Sequence, residues 1–457
     1  MSNMNKAGYS TKQQAINILC EEFTKYNHID SKLYKHFDVK RGLRNADGTG
    51  VLAGLTQICN VHGYVVNEGE REPIEGELIY RGNNIKDIVN DCVNNNRFGY
   101  EETIYLLLFG VLPDKQELDY FKQVLAMYRE LPDGFVEDVI LKIPSKNIMN
   151  KMASSILALY TYDDYADSTT IEQELRKAIE IIAKMPTIMI SAYQAKRKNF
   201  DNQSLILHPL RKEESIAESI LSTLRLDRSY TPEEAHLLDI MLILHAEHGG
   251  GNNSTFTCRT LTSSGTDAYS AYAGAIGSLK GPRHGGANAK VSEMVHCIEN
   301  GVKDWNDDEE IAAFLEKIIR KEEGDGSGLI YGMGHAVYTK SDPRAVILKA
   351  NAMKLAKGTE FEAQFNLLER VEKLTPGVFA KVKQVDKVMS ANVDLYSGLV
   401  YRMLGIPDEL FTPLFATARI TGWAAHRMEE LLTGGKIIRP AYKAITKRKE
   451  YVPLEQR

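Results

Sequence analysis

Apolar residues recur at three- and four-residue spacing along most of this chain. Ala15-Ile18-Leu19, Phe121-Val124-Leu125-Tyr128, Leu175-Ala178-Ile179-Ile182 and Phe314-Ile318-Ile319 each put an apolar stripe on one side of a helix. Boundary residues agree with that reading. Thr231-Pro232-Glu233-Glu234 sets a capping hydroxyl before a proline and two acids, which is how a helix starts. Asp342-Pro343-Arg344 opens another helix in the same way, running toward Lys357-Gly358. Pro407-Asp408 begins a long one that stops near Thr433-Gly434-Gly435. Strand signal is confined to Gly63-Tyr64-Val65-Val66 and Glu77-Leu78-Ile79-Tyr80-Arg81-Gly82, on either side of an acidic turn containing proline, which predicts a small hairpin.

The pattern predicts a mainly α protein, with a large helical domain, a smaller helical domain and one β-hairpin near the N-terminus. Glycines around His284 and at Ser397-Gly398 suit hinges, because glycine absorbs dihedral change cheaply. The expected division is an N-terminal extension of unassigned role over residues 1–75, a large domain over 76–286 and 398–457, and a small domain over 287–397.

Composition narrows the class. At 457 residues with 43% hydrophobic and 26% charged positions, the chain can bury a sizeable core without disulfides or metal. A net charge of −5 and no long basic run make nucleic acid a poor partner. The five cysteines are scattered without a CxxC pair, which fits a reducing compartment. Residues 1–13 carry no apolar signal segment, and no apolar run approaches membrane-spanning length, so a soluble cytoplasmic protein is expected.

Three glycine-flanked stations carry the chemistry. Gly281-Pro282-Arg283-His284-Gly285-Gly286 precedes a helical stretch, and a histidine at a helix N-terminus is held neutral by the dipole. A neutral imidazole donates well to a carbonyl that is gaining negative charge. His335 sits in Gly332-Met333-Gly334-His335, where glycines let backbone approach a ligand. No GxGxxG follows a strand, so a dinucleotide fold is poorly supported. Asp394 follows Asn392-Val393 before an apolar helix, where it suits that helix's N-cap as well as a base, two roles that need not exclude each other. A fourth segment, His245-Ala246-Glu247-His248-Gly249, lacks HExxH spacing. It reads either as a packed helix end or as a pocket lined by His248 and Asn252. Arg419 interrupts an apolar helix face and must be paired or lie over a pocket, and Arg344 and Arg439 are natural carboxylate clamps.

Together these segments, in this order, resemble the citrate synthase family, over most of the chain from about Gly76 onward. The resemblance implies condensation of acetyl-CoA with oxaloacetate, then hydrolysis to citrate and coenzyme A, or propionyl-CoA as the donor in a 2-methylcitrate synthase. It implies Asp394 as the base at the acetyl methyl, His284 on the thioester oxygen and His335 on the ketone of oxaloacetate. It places His248, Arg344, Arg419 and Arg439 on the dicarboxylate, with Asn252 lining the pocket. Gly332, Met333 and Gly334 would meet the coenzyme A adenine, and Lys387 its phosphates, making residues 287–397 the coenzyme A-binding domain. It further implies no cofactor and no metal, and a homodimer in which Arg439 crosses the interface. Two readings from other classes compete: a metal-dependent hydrolase built on His245, Glu247 and His248, and a helical scaffold whose glycine turns are only caps.

Overall fold

The helix Phe411–Leu432 is buried along most of its length, and the rest of the main body is arranged around it. It packs against the helices Ile171–Phe200, Asn253–Ser263, Tyr100–Phe109 and Pro232–His245. Gly422 permits the closest approach. A β-carbon there would stand 2.6 Å from the Ala246 carbonyl oxygen and 2.0 Å from Glu247 Oε2, while the Gly422 N–H donates to that carbonyl at 3.1 Å. Arg427 on the same helix forks onto buried Glu174 at 2.7 and 2.9 Å, and Lys177 also donates to one of those two oxygens, Oε1, at 2.8 Å. The desolvated charges are therefore paired and hydrogen-bonded.

This computed structural model describes residues 12–45, 48–67, 70–335, 337–384 and 389–457. It divides into two compact units, Met1–Leu55 and Thr56–Arg457. The first carries the helix Lys12–Tyr26, none of whose residues is buried, and a short helix Lys32–His36. Within the second unit, β1 (Cys59–Asn67) and β2 (Glu70–Tyr80) pair antiparallel from Cys59↔Tyr80 to Asn67↔Glu70. A short β3 (Asn83–Asn84) completes the sheet.

The expected helices form, and their ends follow from the local residues. Thr231 and Glu234 close a reciprocal capping box with Pro232 in the first turn. Asp342 caps Pro343–Ala356 by accepting the Arg344 N–H at 3.0 Å. Asp408–Leu410 forms a 3₁₀ turn ahead of the long helix rather than its first α-turn. In Asp308–Arg320, Ile311, Phe314, Leu315, Ile318 and Ile319 are the buried positions, the spacing of one helix face. That helix packs on Phe361–Lys383, while Val393–Met403 packs on Ala287–Gly301, Pro343–Ala356 and Phe361–Lys383. The start of Val393–Met403, where Asp394 lies, is thereby fixed by its neighbours. Among the described residues, no helix is long and apolar enough to cross a membrane.

Candidate active site

The helix Pro232–His245 ends inside the protein, and Tyr80 meets its end. The Tyr80 hydroxyl lies 3.0 Å from both the Ile243 and the Glu247 carbonyls, groups that a helix end leaves without helical partners. His245 Nδ1 is 2.8 Å from the Met241 carbonyl, so the ring serves the helix, and burial takes its pKa down to about 3. His248 is placed differently. Its Nε2 is buried with no hydrogen-bond partner, and its ring meets His335 edge-on at 5.1 Å. Burial first, then the Arg344 charge, holds it neutral. Arg419 is 1% exposed, donates from Nε to the His245 carbonyl at 2.6 Å and stacks over Phe415 at 4.7 Å. Its Nη2 is also a buried donor without a partner. Buried polar atoms left unsatisfied in this way mark a place where a polar ligand completes the bonding.

His284 owes its tautomer to a neighbouring helix. The Ser254 N–H, in the first turn of Asn253–Ser263, donates to His284 Nε2 at 3.2 Å. The Ser254 hydroxyl, which also takes the Trp423 indole N–H, lies 2.9 Å from the same nitrogen. A backbone N–H can only donate, so Nε2 carries the lone pair and the ring proton sits on Nδ1. Burial, and then Arg419, lowers the pKa to about 4. The helix terminus bonded to the ring is thus that of Asn253–Ser263, earlier in the chain than the Ala287–Gly301 helix that follows His284.

His335 and Asp394 are tied together by one short segment. The Asn392 N–H donates to the Gly332 carbonyl at 2.9 Å, and the Gly334 N–H to Ser390 at 2.7 Å. The Asn392 amide donates to the Gly334 carbonyl at 2.9 Å while its oxygen accepts the Asp394 N–H at 3.0 Å. Asn392 is thus the helix cap, and Asp394 sits two residues after it, in the first turn. The capping role open to Asp394 in the sequence passes to Asn392, which leaves the Asp394 carboxylate out of the cap. Burial raises its pKa to about 6, against the pull of Arg344. His335 Nδ1 accepts from the Val337 and Tyr338 N–H groups, both at 3.1 Å, which puts the neutral-ring proton on Nε2.

Asp342 joins the last pieces. Its carboxylate takes Arg344 Nε at 3.0 Å and Nη2 at 2.7 Å, and the Val393 N–H at 3.3 Å. Burial pushes against this carboxylate, but Arg344 outweighs it and holds Asp342 below the usual range. Arg419 acts electrostatically on His248, His284 and Asp394, and Arg344 on His248 and Asp394. One cationic neighbourhood therefore holds two neutral imidazoles, a third donor histidine and a carboxylate of raised pKa.

A family profile described as "Citrate synthase, C-terminal domain" matches residues 45–441. The chain belongs to the citrate synthase family. Citrate synthase 2 of Bacillus subtilis is 36% identical over 387 residues, covering 84% of this chain and 94% of its own. The citrate synthase of Haloferax volcanii is 32% identical over 428 residues, covering 92% and 99%. A ternary complex of citrate synthase from Thermoplasma acidophilum with carboxymethyl coenzyme A and oxaloacetate superposes with a TM-score of 0.72 at 27% identity, over 92% of this chain and 99% of that one.

Within this family member the remaining expected residues fall in different places. Asn252 caps Asn253–Ser263: its oxygen accepts the Thr255 N–H at 3.1 Å, and its amide donates to the Gly249 carbonyl at 2.6 Å. It serves the helix that presents Ser254. Met333 bridges to Ala391, so the Gly332–Gly334 turn is bonded to the segment that leads into Asp394. Arg439 is exposed in the stretch after Leu432, outside the cluster. Lys387 lies outside the described residues. His245 and Glu247 are engaged by Met241 and His426, and no group of three or more metal-ligating side chains forms among the described residues.

Five supporting residues act through contacts that the sequence reading misses. Ser254 stands two places after Asn252, whose residue type favours the N-cap position, a signal present in the sequence. Asp342 was recognised only as a helix opener. Glu247 with His426 and Tyr338 with the hairpin are pairings between distant segments that no local pattern announces.

The turn also yields a test. Gly332 has φ +80, and a β-carbon there would stand 2.8 Å from Leu395 Cα, next to Asp394. Gly332→Ala is expected to destabilise the fold by about 1–3 kcal/mol and to lower kcat by displacing the start of the Asp394 helix. Thermal melting and steady-state rates check both, and an unchanged melting temperature would contradict the packing argument.

Proposed function

We propose that this chain condenses acetyl-CoA with oxaloacetate and hydrolyses the resulting thioester, releasing citrate and coenzyme A. The observation that carries this reading is the pair of neutral imidazoles, each pinned as an acceptor at one nitrogen by backbone N–H groups and so left as a donor at the other, beside a carboxylate that does not cap its helix. Asp394 takes a proton from the acetyl methyl. A carboxylate is a weak base for a C–H bond, so the oxygen that gains charge must be met at once, and His284 Nδ1–H does that. His335 Nε2–H donates to the ketone of oxaloacetate as the new carbon–carbon bond forms.

His248, Arg344 and Arg419 hold the carboxylates, with Arg439 of the partner subunit completing the pocket in a homodimer. The unpartnered donor of Arg419 and the unpartnered nitrogen of His248 support this assignment, since a dianion would satisfy both. Residues 287–397 form the coenzyme A-binding domain, with Gly332, Met333 and Gly334 near the adenine and Lys387 near the phosphates. That domain closes on residues 76–286 and 398–457, keeping water from the thioester until condensation is complete. The enzyme works without a metal or prosthetic group, and its unpaired cysteines suit the cytoplasm.

Thiol release from acetyl-CoA that depends on oxaloacetate tests the reaction. A folded protein that releases none from acetyl-CoA or propionyl-CoA would overturn the assignment. The same assay sets the donor: one methylene is worth about 1–3 kcal/mol, and kcat/KM is expected to favour acetyl-CoA over propionyl-CoA. A preference for propionyl-CoA would make the enzyme a 2-methylcitrate synthase.

A further inference from the structure

The segment after His335 lies in a seat made by two glycines of the hairpin. A β-carbon on Gly63 in β1 would stand 3.2 Å from Tyr338 Cδ1 and 2.8 Å from the Val337 carbonyl oxygen. One on Gly76 in β2 would stand 2.8 Å from the same Tyr338 carbon and 2.2 Å from the Ser341 carbonyl oxygen. Neither glycine has a positive φ. The space taken by residues 337–341, rather than backbone conformation, is what requires glycine at both places. The hairpin is shaped for this as well, since its register shifts between His62 and Tyr64, where Gly63 stands.

Hydrogen bonds fasten the seat. The Tyr338 hydroxyl donates to the Glu77 carbonyl at 3.3 Å, the Gly76 N–H donates to Ser341 Oγ at 3.2 Å, and the Ser341 hydroxyl donates to Glu75. Tyr338 is 1% exposed. Its ring stacks on His335 at 4.7 Å and 26°, and meets His248 at 5.6 Å and 72°. Its own N–H is one of the two that fix the His335 tautomer.

We infer that Tyr338, seated on the hairpin, is a positioning residue for His335: its ring sets the plane of the imidazole and hence the direction of the Nε2–H. This rests on the reading of His335 as donor to the ketone. Aromatic rings hold few rotamers and stack with defined geometry, so a tyrosine anchored at both ends is a stiff support. A leucine in its place fills the seat without defining a plane.

The test compares Tyr338→Leu, Tyr338→Phe and His335→Gln by infrared difference spectroscopy of bound oxaloacetate, alongside kcat and KM. In Tyr338→Leu the ketone stretch is expected to move back toward its frequency in water, with kcat down by about 10²-fold, the scale of a misplaced catalytic group, and a smaller rise in KM. Tyr338→Phe, which keeps the ring, recovers most of both. A folded Tyr338→Leu enzyme with the parent's ketone stretch and kcat would overturn the inference. Should that variant not fold, Gly63→Ala, which crowds the ring edge, reads the same stretch, and an unmoved band again overturns it. Retention of the full ketone shift in His335→Gln would instead overturn the underlying role of His335, whatever Tyr338 does.

Discussion

Asp394→Asn is expected to lower kcat by about 10³-fold, within the range a positioned base contributes, while the protein melts at the parent temperature or above it. The two halves of this outcome have one cause. Burial raises the carboxyl pKa from its ordinary 3.8 to about 6, so the folded protein binds this proton more tightly than the unfolded chain does. The group's contribution to stability is therefore complete below about pH 4 and is lost as pH rises through about 6. At pH 7 the ionised carboxylate is a net cost that asparagine removes. Asparagine cannot take a proton from carbon, so stability is kept while turnover goes. Were Asp394 to serve only the helix, the rate would be unchanged and the melting temperature would shift only modestly, since asparagine suits a helix start about as well as aspartate. The same pKa sets the acid limb of the parent enzyme, where kcat/KM should fall below about pH 6 as the base becomes protonated. His284 does not set that limb, because its imidazole charges only near pH 4.

How much of this could be read from the chain depended on the range of the interaction concerned. Helix starts are local: Thr231-Pro232 and Asp342-Pro343 announce themselves because cap, proline and acid lie within four residues. Glycine-flanked histidines were legible for the same reason. What was not legible is the partner each station uses. His284 turns to Ser254, thirty positions away, and its own following helix was the nearer guess. Asn392 outcompetes Asp394 for the cap because its amide also reaches back to the Gly334 carbonyl, a contact across fifty-eight positions. Gly63 reads as an ordinary strand glycine and Gly76 as the end of the turn before Glu77, and only the position of residues 337–341 explains them.

Arg419→Met should bring the second large effect, and it separates binding from folding. The methionine keeps much of the volume of the apolar stem and removes the guanidinium. Oxaloacetate affinity is expected to fall by about 10²–10³-fold, the 2–5 kcal/mol typical when one member of a buried, hydrogen-bonded charge pair is truncated. Stability should fall too. Arg419 is the fixed cation beside Glu247, whose fully buried carboxylate is bonded to His426 at 3.0 Å through one oxygen while the other has no partner. Removing a neighbouring cation from such a carboxylate costs about 3–5 kcal/mol when no other charge compensates, and His426 makes the lower end the expected value. Adding Glu247→Gln removes the uncompensated charge, so the double variant should regain most of the lost melting temperature and none of the lost affinity. Calorimetric titration with oxaloacetate and thermal melts distinguish the two. A single variant that binds oxaloacetate as tightly as the parent would show that Arg419 is a buried structural cation, and the dicarboxylate would have to be held by the remaining groups, Arg344, His248 and Arg439 of the partner subunit.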